Sequence, residues 1–117
     1  MVAFNFKPEF ADAIRAGAKV QTIRQTRRCA VGNTMHLFTG QRTRQCVKLA
    51  ERPCVVVDCV HLTPDGITLG NVKKHPRCWD EFAALDGFSS YEALLAFFVK
   101  QYGSDRFTGT VHRWAAA

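Results

Sequence analysis

Apolar and polar residues change period several times along this chain, and those changes predict its elements. Residues 3–6 alternate and read as a short strand. Pro8 stands where a first helical turn tolerates proline, Phe10 and Ile14 lie four apart on one helical face, and Gly17 is a stop signal. Residues 20–24 read as extended. Gly32-Asn33 marks a turn, and residues 35–39 predict the strand after it. The valine-rich stretch 54–62 predicts a buried strand, and Pro64-Asp65-Gly66 turns it back into Ile67-Thr68-Leu69 as a hairpin. Residues 79–85 read as a short helix. Ser89 and Glu92 have the spacing of a capping box. Tyr91, Leu94, Leu95 and Phe98 then fall at i, i+3, i+4 and i+7, one apolar face of a helix that Gly103 ends. Residues 107–114 alternate like a final strand. Short strands with an early helix and two late ones predict an α+β fold around a small curved sheet or barrel.

Nothing divides this pattern. No linker, low-complexity tract or repeat interrupts it, so residues 1–117 are expected to form a single domain. At 47% hydrophobic, with nine Phe and two Trp, the chain can bury a core without staples. Sixteen Lys and Arg against ten Asp and Glu leave a net charge of +6, which favours polyanionic partners such as nucleic acid. Met1 runs directly into Val-Ala-Phe-Asn-Phe, with neither the charged start nor the apolar middle of a secretory signal, and no apolar run is long enough to span a bilayer. A cytoplasmic location, no membrane association and reduced thiols are therefore expected.

The densest chemistry lies in Lys19-Val20-Gln21-Thr22-Ile23-Arg24, which brings together an amine, a hydroxyl and a guanidinium. Such groups grip phosphate, and a Lys beside a Thr can also act in hydrolysis. Strand parity sets a condition. Thr22 and Arg24 share a face, whereas Lys19 and Thr22, three apart, share one only if the chain bends near Val20-Gln21. Gly40-Gln41-Arg42-Thr43 is a second polar turn, able to present backbone N–H groups and a guanidinium to an anion. Arg24, Arg27 and Arg28, with Arg42 and Arg44 nearby in sequence, form a basic set suited to a phosphate backbone if the loops share one side. Each of these has a plainer reading as solvated loop.

Phe38, Trp79, Tyr91 and Trp114 are candidates to stack a base, Trp79 being the freest and Tyr91 the one that periodicity assigns to the core. The five Cys contain no paired Cys-x-x-Cys set, so no metal site is expected, and buried thiols fit better. His61 reads as a rim or satisfied histidine. His112 shares a strand face with Trp114 and could reach a cleft.

Taken in order, these segments resemble an ASCH domain, a family related to the PUA-like RNA-binding domains. The residues that carry the resemblance are Phe6-Lys7-Pro8-Glu9-Phe10, Ile14-Arg15-Ala16-Gly17, Lys19 with Thr22-Ile23-Arg24, Gly32-Asn33, Thr39-Gly40 with Arg42-Thr43, and Cys46 with Leu49. Further on they are Glu81-Phe82-Ala83, Asp86-Gly87-Phe88, Phe97-Phe98, Tyr102-Gly103, Phe107 with Gly109, and Trp114. The chain is most similar to single-domain bacterial and phage-type members. The resemblance implies a small PUA-like β-barrel with flanking helices, no cofactor, and a cleft lined by the Lys-x-x-Thr-Ile-Arg segment that binds RNA or a nucleotide. Some small members hydrolyse N4-acetylcytidine with a Lys, a Thr and a Glu, and ribonuclease activity has been proposed for others. Lys19 and Thr22 match the first two positions, and Asp86 falls at the third. Asp86 is one methylene shorter than the family's Glu, and Asn33 stands where many members have Asp. Arg24, Arg27, Arg28, Arg42 and Thr43 remain the candidates for RNA or phosphate contacts. The sequence leaves open the ligand, whether catalysis occurs, and the oligomeric state.

Overall fold

A computed structural model describes residues 2–115. Seven strands and three α-helices follow in the order β1 (Val2–Phe6), α1 (Ala11–Ala16), β2 (Gln21–Arg24), β3 (Thr34–Thr39), β4 (Val47–Thr63), β5 (Gly66–Leu69), β6 (Val72–Lys73), α2 (Trp79–Leu85), α3 (Tyr91–Tyr102) and β7 (Phe107–Trp114). Single 3-10 turns, Pro8–Phe10 and Pro76–Cys78, lead into α1 and α2.

The 17-residue β4 is the spine. Its first half pairs antiparallel with β3, and its second half pairs with both β5 and β7. The β4–β7 register shifts between Cys54 and Val56, just after Pro53. An irregularity of this kind bends a strand and strengthens its twist, so one strand serves two half-sheets. The expected strand at 54–62 is therefore longer than its sequence signal. Lys48, Glu51, Arg52 and Pro53 break the apolar pattern in a segment whose side chains are largely exposed. It is also less buried than expected: only Cys54, Val60 and Leu62 are buried along it. The two-residue β6 is a further strand that had no apolar run to mark it.

β1 pairs parallel with β3, and β2 pairs only with β7, so the sheet wraps without closing. Side chains bridge the open seam. Arg24 Nη2 donates to Asn5 O at 3.0 Å, and Arg28 Nη2 donates to Ala3 O at 2.8 Å. These carbonyls are two residues apart on β1, as on one strand edge. Both guanidinium groups also lie over Phe4, at 5.3 and 5.0 Å from its ring centre. Such contacts supply donors that a strand would otherwise provide.

Two apolar clusters fill the interior. One gathers Val60, Leu62, Ile67, Leu94, Phe98 and Val111, where α2 and α3 cover the half-sheet of β4, β5 and β7. The other gathers Phe4, Phe6, Met35, Leu37, Cys54 and Trp114. Tyr91, Leu94 and Phe98 are the buried residues of α3, which agrees with the predicted face. The helix cap differs from expectation: Ser90, not Ser89, accepts the Ala93 N–H at 3.1 Å. Ser90 has the extended backbone of an N-cap, and Ser89 is one residue too early to reach the first turn. No helix among the described residues is long and apolar enough to cross a membrane.

Candidate functional site

Gly17, at φ +79°, ends α1 in a left-handed cap. The chain then bends before β2. The Lys19 N–H bonds back to Ala13 O, while Val20 donates to Leu85 O in α2 and accepts from the Trp114 N–H. The β2 ladder begins only at Gln21. The turn lies at Gly17-Ala18, ahead of the expected Val20-Gln21; Lys19 precedes the ladder, so strand parity does not bind it, and Lys19 and Thr22 line the same cavity. Thr22 and Arg24 lie on one face as expected, with Arg24 Nε donating to Thr22 Oγ1 at 3.1 Å. That bond uses an acceptor site of the hydroxyl and leaves its proton free to be donated.

Asp86 approaches from the C-terminus of α2. Lys19 Nζ donates to the Asp86 backbone carbonyl at 2.6 Å and lies 3.7 Å from its carboxylate Oδ1. Oδ1 is buried and has no hydrogen-bond partner among the described residues. The next residue, Gly87, has φ +90° and packs on the lysine stem. A Cβ there would come within 3.2 Å of Lys19 Cδ, so glycine serves both the backbone conformation and the space. The lysine ammonium also faces the rings of Phe10, at 4.8 Å, and Phe6, at 5.6 Å.

Burial opposes the charge on both partners. Lys19 is held below its ordinary range by desolvation, with Arg24 adding to the effect and Asp86 resisting it. Asp86 is pushed up to about 6 by desolvation, against the pull of Lys19 and Arg24. An acid and a base that are each driven toward neutrality can exchange a proton at modest cost.

These side chains form the inner surface of a cavity of about 250 Å³. Phe10, Phe88 and Phe97 make its aromatic wall, in mutual contact at 5.3 to 5.7 Å between ring centres. The exposed Asn5, Lys7, Gln101 and Tyr102 line its mouth. Sequence reasoning did not assign this wall to a site. A signal was available: Phe97 and Gln101 are four apart on α3, on a stripe beside the buried Tyr91, Leu94 and Phe98 face.

Other candidates lie elsewhere. Arg27, Arg28, Arg42 and Thr43 do not line the cavity. Arg27 Nε donates to Cys29 O, and Arg28 is engaged with β1. Thr43 bonds back to Gly40 O through its hydroxyl and its N–H, and Arg42 sits beside it at φ +67°. The turn nevertheless flanks the mouth, because the Gln41 N–H donates to Asn5 Oδ1 at 2.9 Å. Trp79 is not a free stacking surface. It packs against Tyr91, donates to Lys74 O and covers Gly66. Phe38, Tyr91 and Trp114 also lie outside the cavity. His112 does not reach it: the ring is buried, and Nε2 accepts the Arg28 N–H at 3.0 Å. His61 is exposed beside Thr108. All five cysteines are free thiols, and burial with Cys54 alongside pushes Cys29 up to about 11. Among the described residues no three His, Cys, Asp or Glu side chains gather as metal ligands.

No family model and no curated protein matches the sequence. Among solved structures, a point mutant of the ZmASCH protein from Zymomonas mobilis superposes with a TM-score of 0.56 at 14% identity. The match covers 96% of this chain and 66% of that one. Identity this low speaks for backbone architecture and not for chemistry. In its fold, this chain is ASCH-like, an α+β arrangement of one curved, unclosed sheet with flanking helices.

Proposed function

We propose that this protein binds a single nucleoside or nucleotide unit, free or within an RNA, in the cavity lined by β1, β2, the turn after α2, and α3. The observation that carries the reading is the pairing of an aromatic wall (Phe10, Phe88 and Phe97) with the polar floor of Lys19, Thr22, Arg24 and Asp86. A base has apolar faces and polar edges, and a site with both is its natural complement. Ligand pockets run from roughly 300 Å³ upward, so a cavity of about 250 Å³ suits one base and not a stacked pair. If the unit belongs to an RNA, the turn with Arg42 and Thr43 flanks the mouth where neighbouring phosphates would pass, with Arg27 and Arg28 as more distant cations.

A second reading, hydrolysis of an N4-acylated cytidine, draws on the state of Lys19. A buried amine whose charge is disfavoured can take a proton from Thr22 or from water, and Thr22 keeps a proton to give. As the deprotonated oxygen bonds to the acyl carbon and the C–N bond breaks, Asp86, drawn toward its neutral form, can give its own proton to the leaving nitrogen. Where Thr22 is the nucleophile, water then cleaves the acyl ester.

One experiment separates these. Titrate the protein with the four ribonucleosides, a short single-stranded RNA and N4-acetylcytidine, and follow cytidine release from the last. Binding lost in Thr22→Val supports the cavity, and release of cytidine that Lys19→Met abolishes supports hydrolysis. Binding that survives Thr22→Val and Lys19→Met unchanged would retire the cavity reading. Absence of cytidine release at any pH retires the enzyme.

A further inference from the structure

We propose that the unit held in this cavity is phosphorylated, with its phosphate at the mouth on Lys7 and its base directed inward to Asp86. This rests on the nucleotide-binding reading above and adds a direction and a charge to it. Four side chains of unlike charge line the cavity: Lys7, Lys19 and Arg24 against the single carboxylate of Asp86. Lys19 is spent on Asp86 at the inner end. Lys7 and Arg24 enter no ion pair among the described residues. A neutral nucleoside would leave these two cations uncompensated, whereas a phosphate answers them.

The positions fix the orientation. Asp86 Oδ1 is buried, and the Lys19 ammonium stands 3.7 Å from it while bonding the backbone carbonyl, so the carboxylate still has room for an N–H, which a base edge carries and a phosphate does not. A carboxylate there would also repel a phosphate. Lys7 is at the opposite, exposed end. It is not a freely moving surface lysine: its Nζ donates to Gln101 Oε1 at 3.2 Å and lies 5.0 Å over the Phe97 ring, on the aromatic wall itself. Two of its three ammonium protons remain for a ligand. Arg24 lies between the two ends. Its Nε and Nη2 bind Thr22 and Asn5, which leaves donors on Nη1.

The test compares each of the four ribonucleosides with its 5′- and 3′-monophosphates by calorimetric titration at low and moderate salt, using the full chain. The expected result is a monophosphate bound about tenfold tighter than its nucleoside at low salt. This advantage should shrink as salt rises. In Lys7→Gln the advantage should fall to about onefold to twofold. In Lys100→Gln, an exposed charge removed from α3 outside this cavity, it should persist. Thermal melting of both variants confirms that they fold. A nucleoside that binds as tightly as its monophosphates overturns this inference alone, as does an advantage that survives in Lys7→Gln. If neither nucleosides nor monophosphates bind, the inference and the nucleotide reading fall together. A hexaribonucleotide completes the series. Binding tighter than the mononucleotide, and weakened by Lys7→Gln, identifies RNA as the source of the phosphate. Equal or weaker binding, again weakened by Lys7→Gln, identifies a free nucleotide.

Discussion

Lys19 and Asp86 each hold a charge that burial disfavours, and each moderates the other's titration. Removing the lysine tests that coupling. Methionine keeps the aliphatic stem between Phe6, Phe10 and Gly87 but brings no charge. In Lys19→Met, Asp86 loses its principal stabilising cation and should titrate above its present value of about 6. Carbon-detected NMR of the Asp86 carboxyl across pH measures this directly, and an unchanged or lower value would mean that the pair is not coupled. The candidate residues Lys19, Thr22 and Arg24 were legible in the sequence because they crowd into six positions. Asp86 was legible only through family resemblance, since nothing local in Asp86-Gly87-Phe88 says that it meets a lysine 67 residues earlier. The aromatic wall left only a weak trace, the Phe97–Gln101 spacing on α3. An aromatic side chain reads the same in a core and in a cavity until the fold decides what faces it.

At the level of elements, α3 carries much of the structure that supports the site, presenting Phe97, Gln101 and Tyr102 to the cavity and Leu94 and Phe98 to the core. Its first turn is fastened by the Ser90 hydroxyl on the Ala93 N–H, with Asp80 of α2 accepting the Tyr91 N–H at 2.8 Å. Ser90→Ala should cost about 1 kcal/mol. Ser89→Ala should cost within about 0.5 kcal/mol of nothing. Urea denaturation of the two variants ranks them, and equal costs would refute the assigned cap. The capping-box pattern was nearly right because serine occupies both positions, and backbone conformation alone selects between them. β4 misled for a different reason. Its first half is an exposed, charged strand held by pairing with β3, so side-chain pattern carried little of its signal.

Across the whole molecule, two buried groups on different elements oppose each other as pH changes. Asp86, at about 6 against an ordinary 3.8, binds more protons folded than unfolded between those values, so its contribution to stability falls as pH rises through that window. His112 is drawn down from 6.5 to about 4 by burial and by Arg24. The unfolded chain then binds the extra proton between 4 and 6.5, so the histidine's contribution rises with pH and is lost on acidification. The two slopes cancel in part. His112→Gln should unmask the Asp86 trend, giving a urea midpoint that declines from pH 4 to 6 relative to wild type. A variant whose midpoint climbs as steeply as wild type would contradict the assignment. Gly109 illustrates a second constraint at this scale. It lies on β7 against the Arg24 carbonyl and the Phe107 ring, with no room for a Cβ. Gly109→Ala should cost about 1–3 kcal/mol and spread β2 from β7. A thermal melt within a degree or two of wild type would show that the contact has slack.

By itself, the sequence determined most of the local elements, though not β6 or the first half of β4, and supplied residues chemically able to hold an anion. Period, proline and glycine act over a few residues, and the basic excess is a sum over the chain. Only the tertiary structure decided that β4 would bend to serve two half-sheets, that Arg24 and Arg28 would bridge an open seam, and that Lys19 would be buried against Asp86. The physical reason is common to all three. Burial, pairing and pKa depend on which distant groups share a volume, and a chain's spacing does not encode that volume until it has folded.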